Sequence, residues 1–194
     1  FSISLQGAML ASSLGIPDAM QIANDLLSNI RGVDDKSVIS ACKLTTFDVW
    51  YRNIAAALMA KNASDTNPNS YTIQNIQTMV KRSIAFWNIY GPIIKDGFTF
   101  EEYGYTKTVN SGDGDFLTQD TMWDFKVSKS KPTNKHTLQL LMYWIMGQHS
   151  GKPEFKDITN MGIFNPRLNT VYTLQISKVE LATIKTVETE VICY

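Results

Sequence analysis

The sequence predicts an α/β (α+β) fold, a mixed central β-sheet flanked by helices and preceded by a helical N-terminal region. Three observations carry this reading. Up to about Tyr90, apolar residues recur every three to four positions, the period of a helix face. After Gly91-Pro92 the pattern changes to alternation, the period of a strand. The remaining segments then read as three strands, a helix, two strands and a helix, an order that builds a mixed sheet.

Each element has its own signal. Pro17-Asp18 opens a helix expected to reach about Ile30, with Pro at the helix start, where its missing N–H costs nothing. Gly32 to Asp35 breaks the pattern. Lys36 to Lys61 reads as one long helix, with Ile39, Leu44, Phe47, Tyr51, Ile54 and Leu58 along one stripe. Asn62 to Ser70 is a polar loop. A third helix spans about Thr72 to Tyr90, through Ile73, Ile76, Val80, Ile84 and Trp87, and Gly91-Pro92 stops it. Phe98 to Tyr105 alternates as a strand, and further strands fall at about Asp115–Thr118 and Thr121–Ser128. Thr133 caps a helix to Met146 with Gly147 at its end. Strands Ile158–Phe164 and Thr170–Ser177 follow, joined by Asn165-Pro166-Arg167, and Val179–Ile192 closes the chain as a helix.

Composition excludes several classes. Lys plus Arg and Asp plus Glu both number 18, so no overall basic excess points to nucleic acid, and a polyanion site must come from local clustering. A chain of 194 residues buries about 70% of its unfolded surface without disulfides. Cys42 and Cys193 form no Cys-x-x-Cys motif and read as free thiols in a reducing, cytoplasmic compartment, with a single bridge between them as the alternative. Residues 1–16 are apolar but lack a basic leader and are interrupted by Ser, Gln and Gly, so they do not read as a signal peptide. No run of apolar residues is long enough to span a membrane.

The chemistry concentrates in Gly112 to Lys131, GDGDFLTQDTMWDFKVSKSK. A hairpin centred between Gln119 and Asp120 pairs Phe116 with Trp123 and Asp115 with Asp124. Alternation then puts Asp124 and Lys126 on one face, and Trp123, Phe125 and Val127 on an apolar one. Facing carboxylates repel unless a cation lies between them, and oxygen donors suit Mg²⁺ or Mn²⁺. Lys126 could then position or deprotonate a water, or stabilise charge on a phosphate. The alternative is a solvated polar face. Downstream, KHTLQLLMYWIMG places Gln139 and Tyr143 four apart on one helix face, with His136 on the same side.

Gly-x-x-Asp (Gly112 to Asp115), Asp-x-Lys (Asp124 to Lys126) and Gln-x-x-x-Tyr (Gln139 to Tyr143), in that order, resemble the signature of the PD-(D/E)XK nuclease superfamily in its RecB-like branch, akin to lambda exonuclease. The resemblance covers roughly Phe98 to Ser177. It implies a restriction-endonuclease-like core over 98–194, with residues 1–97 as a helical region packing on it. It implies Asp115, Asp124 and the backbone carbonyl of Phe125 as ligands of Mg²⁺ or Mn²⁺, and Lys126 as the catalytic lysine. Gln139 and Tyr143 would support the site near the scissile phosphate. The family adds an acid or His from an upstream helix, and both histidines here lie downstream. Asp48 is the only carboxylate well inside the long helix, so it is the candidate, or else a surface Asp paired with Arg52. The iron–sulfur cysteines of some relatives are missing, so no cluster is expected.

The expected function is metal-dependent hydrolysis of phosphodiester bonds in single- or double-stranded DNA, of phage or prokaryotic type, with a protein partner in DNA processing conceivable. Lys129, Lys131 and Lys135, with His136, crowd the link after the active strand and would contact the DNA backbone, or form a solvated loop. Two other readings stand beside this one. One is a nucleic-acid-binding module of the same fold with weak or no catalysis; the other is an unrelated α/β interaction domain.

Overall fold

A computed structural model describes all 194 residues, Phe1–Tyr194. The chain divides into two compact units, Phe1–Val80 and Lys81–Tyr194. The first is helical and the second holds an α+β arrangement around a five-stranded mixed sheet. The sheet unit therefore starts at Lys81, upstream of the expected boundary at 97/98. The reason is packing: Phe86 and Trp87, near the end of the sixth helix, sit in one apolar cluster with sheet residues Phe116, Trp123 and Phe164.

In the N-terminal unit, α1 (Ser2–Ser13), α2 (Ala19–Ser28) and α3 (Asp35–Leu44) are followed by the short α4 (Asp48–Arg52) and α5 (Ile54–Ala57). The sequence reading assigned no element to α1. Its buried face is Ser4, Gly7, Ala8 and Ala11, too small to register as an apolar stripe. Smallness is what the site needs, since a Cβ on Gly7 would meet the carbonyl of Phe47. The single helix expected over 36–61 is broken twice. Thr45 and Thr46 turn their hydroxyls back onto the carbonyls of Cys42 and Lys43, at 3.1 and 2.6 Å, where the helix tightens to a 3₁₀ turn at Thr45–Phe47. Asn53 is extended and its side chain caps α5 by accepting from the Ala56 N–H at 3.0 Å. α6 (Ser70–Tyr90) forms as expected and runs past the division between the units.

In the C-terminal unit the sheet order is β1 (Lys95–Phe98), β2 (Gly114–Leu117), β3 (Thr121–Phe125), β4 (Asn160–Asn165), β5 (Thr170–Gln175). Neighbours are antiparallel except β3 and β4, which are parallel and joined through α7 (Asn134–His149). A parallel pair needs such a crossover. α8 (Leu181–Thr186) continues into a wider π-helical turn over Val187–Ile192.

The first strand lies upstream of the expected Phe98–Tyr105: Lys95, Asp96 and Phe98 pair with β2, while Phe100 is buried from a loop and packs on the rings of Phe98 and Phe155. Gly147 lies inside α7, not at its end, because the Phe155 ring fills the space a Cβ would occupy.

Apolar side chains of the unit form two layers. Phe98, Leu117, Met122, Leu141, Ile145 and Met161 lie in the core that α7 covers, and the aromatic cluster of Phe86, Phe116, Trp123 and Phe164 lies on the other face. The indole of Trp123 is pinned by its Nε1–H bond to Thr118 Oγ1, 2.9 Å, and it lies flat over Gly162 of β4. A Gly162→Ala substitution would drive a methyl into that pinned ring. We expect a loss of about 1–3 kcal/mol in a urea unfolding midpoint experiment. Gly151→Ala, where nothing stands within 4 Å of a Cβ, loses only the cost of its positive φ of 72°.

Candidate functional site

The hairpin register is the one the sequence implies: Phe116 pairs with Trp123 and Leu117 with Met122. Alternation along β3 then sorts the side chains. Trp123 and Phe125 face the aromatic layer, with Phe125 stacked on Trp87 at 5.7 Å and 12°. Met122 faces the α7 layer, and so does Asp124, one step of alternation further along. Val127 departs from its expected place in the core: β3 ends at Phe125 and Val127 is 59% exposed.

Asp124 is 7% exposed. Its Oδ1 accepts from Lys126 Nζ at 3.0 Å. The same ammonium donates to Gln139 Oε1 at 3.3 Å, and Gln139 Nε2 donates to Tyr143 Oη at 3.0 Å. Four of the sequence-predicted residues thus form one hydrogen-bonded line from the sheet to α7. Asp115, exposed on β2, joins it from the other strand: its Oδ2 accepts from the Phe125 N–H at 2.6 Å. Gly112 has a physical reason to be glycine. Its φ is 148°, a Cβ there would stand 3.3 Å from the Tyr143 ring, and its carbonyl accepts from Tyr105 Oη at 2.5 Å.

Burial pushes the Asp124 carboxyl above its ordinary range, the hydrogen bond and charge of Lys126 pull it down, and the nearby Asp115 charge pushes it up again. The other oxygen, Oδ2, is buried and has no hydrogen-bond partner. A buried carboxylate oxygen left bare is costly. Two carboxylates close enough to feel each other's charge, one with a bare oxygen, offer the kind of oxygen donors a hard divalent cation takes. No cluster of three or more His, Cys, Asp or Glu side chains with metal-binding geometry accompanies them.

The other predicted residues are placed as follows. Asp48 belongs to the N-terminal unit, where its Oδ1 accepts from Ser4 Oγ and no ion pair to Arg52 forms. His136 serves the start of α7, its Nδ1 accepting from the Thr133 N–H at 3.0 Å. Lys129, Lys131 and Lys135 are exposed and make no ion pair. The sequence reading missed Tyr105 as the residue that holds the Gly112 carbonyl, and Asn165, whose Nδ2 donates to the Ser128 carbonyl at 2.9 Å beyond β3. An Asn opening Asn-Pro-Arg is a turn former, and that was the available signal for Asn165.

No protein-family model, curated protein or solved structure matches the chain significantly. No helix is long and apolar enough to cross a membrane.

A raised carboxyl pKa in the folded state favours folding at low pH, and that contribution is lost as pH rises through the folded value. Asp124→Asn removes the buried charge. In EDTA the variant should therefore melt above the parent at neutral pH, with the gain shrinking as pH falls toward the ordinary carboxylate range near 4. Adding Mn²⁺ should raise the melting temperature of the parent but not of the variant.

Proposed function

We propose that this chain is a Mg²⁺- or Mn²⁺-dependent deoxyribonuclease of the PD-(D/E)XK type, acting on phosphodiester bonds in DNA. The observation that carries the reading is the line Asp124–Lys126–Gln139–Tyr143, closed by Asp115 against the same strand, with one Asp124 oxygen left bare. The order of elements supports it too: an antiparallel three-strand meander, a helix, then a strand parallel to the third.

Asp115, Asp124 and the Phe125 carbonyl would hold the cation. When bound, such an ion supplies Lewis-acid charge for a phosphate oxygen and acidifies water. The chain's own residues do the rest. Asp124 and Gln139 hold the Lys126 ammonium between them, so its remaining donor capacity points charge at an incoming phosphate without reorganisation. Tyr143 accepts from the Gln139 amide and leaves the amide oxygen facing Lys126. Trp123 and Phe125, fixed in the aromatic layer, keep β3 from shifting register and so keep Asp124 and Lys126 on the site side.

The absence of a third clustered acid favours a second reading, a DNA-binding module of this type with slow chemistry. Cleavage of linear single-stranded, linear double-stranded and circular DNA separates the two. With Mn²⁺ or Mg²⁺ the parent should degrade DNA and EDTA should stop it. Lys126→Ala should lower kcat on the order of 10²–10³-fold, and Asp124→Asn should abolish metal-dependent cleavage. Equal cleavage by Asp124→Asn would sink the nuclease assignment. Binding without cleavage by the parent would favour the module.

A further inference from the structure

We propose that the β4–β5 turn and the link from β3 to α7 form one rigid cationic strip that holds the phosphate backbone of DNA, with Arg167 as a contact and Asn165 as the residue that positions it. This rests on the nucleic-acid reading of the site above.

The two segments leave the sheet side by side. β3 and β4 are parallel, Phe125 at the end of β3 pairs with Phe164, and the Lys126 N–H donates to the Phe164 carbonyl at 3.1 Å. Asn165, the last residue of β4, is 1% exposed, and its amide bridges the two segments. Nδ2 donates to the Ser128 carbonyl at 2.9 Å, while Oδ1 accepts from the N–H groups of Arg167 and Leu168 at 3.0 and 3.2 Å. From the other side, Arg82 Nη1 donates to the carbonyls of Pro166 and Arg167 at 2.9 and 2.8 Å. A surface turn is ordinarily mobile; this one is anchored through its backbone on both sides.

That anchoring leaves the side chains free. Arg167, Lys129, Lys131 and Lys135 are all exposed, and none has an acidic partner. No Asp or Glu occurs in 126–136 or in 165–169. In a chain with equal numbers of acids and bases, this is a strong local segregation of charge. Adjacent strands lie about 4.8 Å apart, so the two segments that leave them, tied by Asn165 to Ser128, carry their cations on neighbouring stretches of chain. Cations spread over two stretches suit a repeating anion better than a single phosphate, which needs converging donors. Arg167 adds the planar fork that takes phosphate oxygens in pairs. Lys126, directly after β3, belongs to the candidate site, so a backbone lying on the strip leads into it.

The test is equilibrium binding of a short fluorescein-labelled DNA duplex, followed by anisotropy across a NaCl series in EDTA, where metal-dependent cleavage is stopped. Arg167→Gln and Lys131→Gln should each weaken binding several-fold at low salt and reduce the slope of log affinity against log salt by about 0.9. Lys185→Gln, an exposed lysine on α8, should leave the slope unchanged. Asn165→Ala removes no charge yet should weaken binding, its folding checked by its melting curve. Slopes that respond as expected in a protein that cleaves nothing would still support the strip while removing the nuclease assignment. Unchanged slopes for Arg167→Gln and Lys131→Gln in a protein that binds DNA, or equal losses for Lys185→Gln, would overturn the strip and leave the assignment standing.

Discussion

A carboxylate buried on a central strand, with one oxygen held by a lysine two residues away and the other bonded to nothing, is the constraint around which the C-terminal unit is organised. A buried charge is costly unless it is paired and hydrogen-bonded, and the lysine satisfies only one of these two oxygens. What holds it in place is the aromatic layer behind the strand. Trp123 and Phe125 are locked against Phe86, Trp87, Phe116 and Phe164, so β3 cannot slip or twist to return Asp124 to water. The stability of one face of the sheet thus supports an unfavourable arrangement on the other.

The same logic extends outward from Asp124. Lys126 is oriented by Asp124 and Gln139, Gln139 by Tyr143, and Tyr143 packs beside Gly112, whose carbonyl is held by Tyr105. Each group is satisfied by the next, and the line ends at the bare Asp124 oxygen. An unsatisfied buried atom amid otherwise satisfied neighbours is where a ligand would bring the largest gain. The lysines after β3 lie outside this line, and the anchored turn is tied to their stretch of chain.

Much of this was legible in the sequence because it is local. Period-two alternation separates Asp124 and Lys126 from Trp123 and Phe125 whatever the rest of the chain does, and a two-residue turn sets the pairing of β2 with β3. Spacing of four puts Gln139 and Tyr143 on one face of α7. What was not legible depended on partners distant in sequence. Gly147 reads as a helix end until Phe155 is known to lie against it, and Gly7 and its small neighbours show no stripe until Phe47 is known to approach them. The break at Asn53 and the paired Thr45 and Thr46 had local signals, but an apolar periodicity running through them masked those signals.

The sequence by itself determined the order of elements in the sheet unit, the register of the hairpin and the side of the strand on which each charged residue stands, because these follow from backbone period and turn length. Only the tertiary structure decided which residues meet. It joined Lys126 to Gln139 across thirteen positions, placed Arg82 on the turn at Pro166 and Arg167, and gave Asn165 the task of tying that turn to Ser128. It also left one oxygen of Asp124 buried without a partner. Hydrogen-bond satisfaction is a property of the packed molecule: whether a polar group has a partner depends on every element that closes over it, and no local pattern carries that information.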